Sequence, residues 1–152
     1  KVKLKKLAEK GIIKENLFEE VENVKQQKTI EAINQFAFMR KEKIELMEFL
    51  KTKNIKIACY TNSIRKTAEL MLKKTGILHY FDLLVTNQDV KTAKPDPEGY
   101  FYCINYFKTE PKKTIIIEDS PNGLKAAIAT NSNVIKVKNQ EEVTLKLIKG
   151  LI

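Results

Sequence analysis

Two adjacent acids, Glu118 and Asp119, follow the β-branched run Ile115-Ile116-Ile117 and precede Ser120-Pro121-Asn122-Gly123. Carboxylates at the tip of a buried strand lose hydration and repel each other, so something positive must meet them. A divalent cation does this. Oxygen ligands with no histidine or thiolate nearby suit Mg²⁺, a hard ion that keeps several waters and takes one or two carboxylates. Upstream, the apolar run from Ile55 to Tyr60 ends at Thr61-Asn62-Ser63, where a hydroxyl and backbone N–H groups could hold the oxygens of an anion. Between the two sites, Lys94 sits in a proline-punctuated loop and offers a fixed positive charge. Metal, lysine, hydroxyl and amides together can stabilise a transferring phosphoryl group.

Those groups need elements that bring them to one place. Apolar runs at 55–60, 83–85, 114–117 and 134–137 predict short strands. Helical spacing predicts helices at 64–74 (closed by Gly76), 100–107, from Asn122 onward, and 141–148. Strands alternating with helices argue for an α/β fold with a mostly parallel sheet. In such sheets ligands bind beyond the carboxyl ends of the strands, which is where Thr61, Lys94 and Glu118 fall. Residues 3–11 and 16–39 carry only helical spacing, with Gly11 ending the first stretch and Asn16 placed to cap the second. Ile44, Leu46, Met47 and Leu50 then form another apolar helical face. The chain therefore divides into a helical part, 1–39, and an α/β part, 40–152.

The stretches IKIACYTNS, KPDP and IIIEDSPNGLKAA, in this order, resemble the second, third and fourth motifs of the haloacid dehalogenase (HAD) superfamily. The likeness is greatest to its beta-phosphoglucomutase-like phosphatases with a small helical cap, and it covers about Lys43 to Val137. It implies a Rossmann-like, three-layer core, with residues 1–39 as the later part of the cap. It also implies catalytic roles for Thr61, which would bind the phosphoryl group, and Lys94, which would bridge that group and the nucleophile. Asn62, Ser63 and Ser120 would support the substrate, and Glu118 and Asp119 would hold Mg²⁺. The implied substrate is a small phosphorylated metabolite such as a sugar phosphate.

One family motif has no counterpart. Asp-x-Asp-Gly, which would supply the nucleophile and the acid/base group, occurs nowhere in the 152 residues, and Asp82, Asp89 and Asp96 stand in other places. The resemblance puts that motif on a first strand between the strands ending at Thr61 and Glu118. The sequence begins at Lys1, inside a helical pattern. The expectation is therefore a C-terminal piece lacking its first strand, inactive without its N-terminal segment, with two bare sheet edges facing a gap. Hydrolase and phosphomutase chemistry both remain open, and a non-catalytic interaction protein that keeps the fold is the competing reading. A two-component receiver domain uses similar groups, but its acids come first in the chain; here they come last.

Composition bounds the remainder. With 43% hydrophobic and 31% charged residues, the chain can bury a core. No apolar run approaches the ~20 residues of a membrane helix. Cys59 and Cys103 lie far apart without ligand-spaced companions, which suits reduced thiols in a cytoplasmic protein. The net charge of +9 comes almost entirely from lysines spread along the chain. Arg40 and Arg65 are the only arginines, so the pattern argues against nucleic-acid binding. Tyr100 and the aromatics around it read as packing.

Overall fold

The computed structural model describes residues 2–152 and divides into two compact units, one ending at Ala37 and one spanning Phe38–Ile152. The first unit contains α1 (Val2–Glu9) and α2 (Phe18–Phe36), with Gly11 in the left-handed region at φ 69°. The sequence reading fails at two points here. Asn16 does not cap α2: it lies inside a 3-10 turn, Glu15–Leu17, and Leu17 takes the cap position with no side-chain bond. α2 also stops at Phe36 rather than Met39, because Ala37 turns extended (φ −85°, ψ 126°). No described helix is long and apolar enough to cross a membrane.

The second unit runs α3 (Lys41–Thr52), β1 (Ala58–Tyr60), α4 (Arg65–Lys74), β2 (Leu83–Val85), α5 (Glu98–Tyr106), β3 (Ile115–Glu118), α6 (Pro121–Ile128), β4 (Asn133–Lys136) and α7 (Leu145–Lys149). β1 and β2 pair in parallel through α4, and β3 and β4 pair in parallel through α6, which makes two strand–helix–strand units. β1 is shorter than its apolar run. The Asp82 carboxylate accepts the Ile57 N–H at 2.9 Å and so takes the donor that would have extended the ladder. The last helix is also shorter than the sequence predicts. Asn139 caps a 3-10 turn at Gln140–Glu142, and Thr144 caps α7 separately.

Successive strand residues face opposite sides, and β3 shows what this builds. Ile116 packs with Tyr100 of α5 and with Ala126 and Ala127 of α6. Ile117 packs on the other side, against the cluster of Leu46 and Met47 of α3 and Ile148 of α7. Helices thus cover both faces of the strands, giving three layers. Fully burying a side chain such as Ile116 contributes about 1.5–3 kcal/mol.

The two ladders are not hydrogen-bonded to each other. Ile57 and Thr61 bond toward β2, and Thr114 and Glu118 bond toward β4. Alternation therefore turns the backbone groups of Ala58, Tyr60, Ile115 and Ile117 toward the space between β1 and β3. A cavity of about 730 Å³ lies there, lined on one side by Ala58, Cys59 and Tyr60 and on the other by Ile115, Ile116 and Ile117.

Candidate active site

Lys94 joins the two ladders at their carboxyl ends. Its ammonium donates to the Tyr60 carbonyl at 3.1 Å, at the end of β1, and to Glu118 Oε2 at 2.9 Å, at the end of β3. It also lies 4.6 Å from the Tyr60 ring centroid and 4.8 Å from that of Tyr100. The Lys94 and Glu118 side chains are each only 9% exposed.

The loop that carries Lys94 is held at several points. Asn62 clamps the Lys94 backbone from both sides: its Oδ1 accepts the Lys94 N–H, and its Nδ2 donates to the Lys94 carbonyl, both at 3.1 Å. The Glu98 carboxylate accepts the N–H groups of Lys91 and Thr92 at 2.8 Å each, which closes the loop onto the start of α5. These bonds to backbone donors hold the Glu98 carboxyl below its ordinary pKa. The Lys94–Pro95 peptide is cis.

Glu118 is the most engaged carboxylate of the site. Oε2 accepts from Lys94 and from the Tyr100 hydroxyl, the latter at 2.8 Å. Oε1 accepts from the Asp119 N–H, the Ser120 N–H and the Ser120 hydroxyl at 3.2–3.4 Å. Burial pushes its carboxyl pKa up, but the Lys94 and Tyr100 donors outweigh that and hold it below the usual value. Gly123 makes the arrangement possible, since a Cβ there would fall onto the Glu118 carboxylate. Gly99 does the same for the Tyr60 ring.

The other sequence-derived residues take distinct places. Thr61 lies just past β1, and its hydroxyl accepts the Ser63 N–H at 3.1 Å while its own proton remains available to an acceptor. Ser63 is exposed, and its backbone N–H is the donor to the Thr61 hydroxyl. Ser120 is the N-cap of α6: its hydroxyl accepts the Gly123 N–H at 3.0 Å and donates to Glu118 Oε1 at 3.2 Å. Asp119 is exposed, and its side chain has no hydrogen bond or ion pair. Cys59 and Cys103 are poor nucleophiles here. Burial raises both thiols, Cys103 to about 12.

A match to the family model of haloacid dehalogenase-like hydrolases extends over residues 2–137. The chain belongs to that family. The phosphorylated carbohydrates phosphatase of Thermotoga maritima is 37% identical over 83 residues, covering 55% of this chain and 38% of the relative. The fructose-1-phosphate phosphatase of Escherichia coli is 32% identical over 82 residues, covering 54% of this chain and 44% of the relative. A Thermotoga maritima structure assigned as a beta-phosphoglucomutase superposes with a TM-score of 0.62 at 27% identity, covering 74% of this chain and 61% of that one. The chain thus spans about two fifths of the length of the curated relatives it matches. The HAD fold is the Rossmann-like arrangement seen here, with Thr61, Lys94 and Glu118 at the carboxyl ends of its strands.

The Mg²⁺ that the family implies finds a partial donor set. Asp119 is free and exposed beside Glu118, and Mg²⁺ accepts a single carboxylate completed by waters. Glu118, which the resemblance pairs with Asp119, already has both oxygens engaged by five donors. No group of three or more His, Cys, Asp or Glu converges among the described residues.

Sequence reasoning missed Tyr100 and Gly123. Tyr100 stands six residues after Lys94, and Gly123 five after Glu118. A glycine one turn into a helix that follows a buried acid is a usable signal, because it marks where a side chain must be absent.

Proposed function

We propose that this chain supplies the phosphate-binding and metal-side half of a Mg²⁺-dependent phosphohydrolase acting on a small phosphorylated metabolite, a sugar phosphate first among the candidates. The observation that carries the reading is the Lys94 bridge, which fixes one ammonium between the ends of β1 and β3, on the carbonyl of the residue that precedes Thr61. In this reading Lys94 offsets the charge that builds on phosphoryl oxygens, and Thr61 donates a hydrogen bond to one of them. Asp119 would hold Mg²⁺, which adds further charge stabilisation when bound. The phosphatase names of the relatives point to the same substrate class. Phosphomutase chemistry would use the same groups.

The nucleophile comes from elsewhere in this reading. The 152 residues contain no Asp-x-Asp-Gly, and the open edges of β1 and β3 both line the cavity of about 730 Å³; a parallel strand seated there would lie ~4.8 Å from each neighbour. We assign that place to an N-terminal segment of the same protein carrying the motif, and residues 1–39 to its cap. The chain alone is then inactive. The two free cysteines, Cys59 and Cys103, suit a cytoplasmic setting. The absent motif also favours a second reading, a non-catalytic interaction protein that keeps the fold.

A panel of sugar phosphates, assayed with and without Mg²⁺ on the full gene product containing these residues, separates the two. The enzyme reading expects Mg²⁺-dependent phosphate release that Lys94→Ala and Asp119→Ala each abolish. Unchanged rates in both variants would defeat the site assignment, and no release with any substrate would favour the interaction protein.

A further inference from the structure

We infer that Tyr100 is a positioning residue for Lys94: its hydroxyl fixes the Glu118 carboxylate, and the carboxylate in turn fixes the ammonium. The inference deepens the proposed phosphoryl site and rests on it for its functional meaning, although its geometry stands independently. Two tyrosines flank the lysine, with rings in T-shaped contact at 5.1 Å and 90°. Both faces meet the ammonium at nearly equal distance, 4.6 and 4.8 Å, so the rings do not distinguish their roles.

The hydroxyls do. The Tyr60 hydroxyl is buried and has no hydrogen-bond partner. The Tyr100 hydroxyl donates at 2.8 Å to Glu118 Oε2, the same oxygen that receives Lys94 at 2.9 Å. A carboxylate oxygen shared by an ammonium and a short neutral donor cannot rotate without breaking both bonds. Oε1 is meanwhile held at the head of α6 by Ser120 and two backbone N–H groups. The remaining donors to Glu118 come from α5 and from the head of α6, whereas Lys94 reaches it from the loop after β2 through a long unbranched side chain, so the carboxylate is the post to which the ammonium is tied. Glu118 accordingly acts through the lysine, which leaves Asp119 as the free metal-side carboxylate.

The two tyrosines supply their own control. Tyr60→Phe and Tyr100→Phe remove the same atom from rings that touch the same lysine, and each keeps its ring in the core. The readout is amine acetylation of Lys94 by an N-hydroxysuccinimide ester, followed by peptide mass spectrometry, with exposed Lys91 and Lys108 as internal standards. Tyr100→Phe should raise Lys94 labelling about tenfold, the factor expected from losing one hydrogen bond to a charged group. Tyr60→Phe should leave it unchanged. Glu118→Gln should raise labelling at least as much, and adding Tyr100→Phe to it should change little further. Equal labelling in the two Phe variants, or full additivity of Tyr100→Phe with Glu118→Gln, would overturn the inference. The phosphoryl-site reading has a separate arm, in which inorganic phosphate with Mg²⁺ should move the Thr61 and Asn62 amide resonances of the unmodified chain. Failure of that arm alone would sink the phosphate reading and leave the positioning role intact.

Discussion

Lys94→Met removes one half of an ion pair whose side chains are each 9% exposed. Removing one partner of a buried pair typically costs about 3–5 kcal/mol, because the other charge stays behind uncompensated. Here the lower figure applies. Tyr100, Ser120 and two backbone N–H groups continue to donate to Glu118, and methionine keeps the apolar stem against the two rings. About 3 kcal/mol in a chain of this length lowers the melting temperature by roughly 6–12 °C. An exposed pair such as Lys28–Glu31, with side chains 72% and 49% exposed, serves as the contrast, and Lys28→Met should leave the melting temperature essentially unchanged. The assay is thermal and urea unfolding of the 152-residue chain at neutral pH. In the double variant Lys94→Met/Glu118→Gln the neutral amide still accepts from Tyr100, so at least half of the loss should return. A melting shift below about 2 °C for Lys94→Met, or a double variant less stable than either single one, would refute the buried-pair reasoning.

Gly123→Ala puts a methyl group where the Glu118 carboxylate lies, so the start of α6 or the acid must move. That should cost about 1–3 kcal/mol in urea unfolding and should loosen Lys94, raising its acetylation. Asp119→Ala should leave unfolding within about 0.5 kcal/mol of the parent, since the side chain is exposed and free. It should also abolish Mg²⁺-induced changes in the amide resonances around Ser120, and persistence of those changes would place the ion elsewhere. Acid weakens the turn after β2. The Thr86 hydroxyl, the Thr86 N–H and Arg65 hold the Asp89 carboxyl below its ordinary value, against the opposing effect of burial. A depressed carboxylate contributes its stability above the unfolded pKa of about 3.9 and loses it as pH falls through the lower folded value. Unfolding of the parent should therefore steepen below about pH 4, and Asp89→Asn should flatten that dependence; identical pH profiles would rule Asp89 out as its source.

The order of chemistry along the chain was legible because strand tips announce themselves. An apolar run that stops at a hydroxyl or an acid places that group at a carboxyl end, whatever the neighbours, and Thr61 and Glu118 were found this way. Lys94 was singled out only by its Lys-Pro-Asp-Pro setting, which resembles the family's third motif. Residues whose role lies in a partner were not legible. Tyr100 looks like any core aromatic until the sheet brings it against Glu118, and Gly123 looks like a loop residue until the carboxylate occupies the space above it. Boundaries failed where a side chain competed with the backbone. Asp82 intercepts Ile57 and shortens β1, while Asn139 and Thr144 each start their own turn and divide the last helix in two. Such competition depends on what folding brings within ~3 Å, which local spacing does not encode.

The proposal that a strand bearing the nucleophile completes this site between β1 and β3 can be tested by complementation. A synthetic peptide with four apolar residues followed by Asp-x-Asp-Gly is mixed with the chain, Mg²⁺ and a sugar phosphate, and phosphate release is followed. If such a strand completes the site, the chain alone releases no phosphate, peptide and Mg²⁺ together restore release, and Lys94→Ala shows none. Steady release by the chemically verified 152-residue chain without any peptide would contradict it.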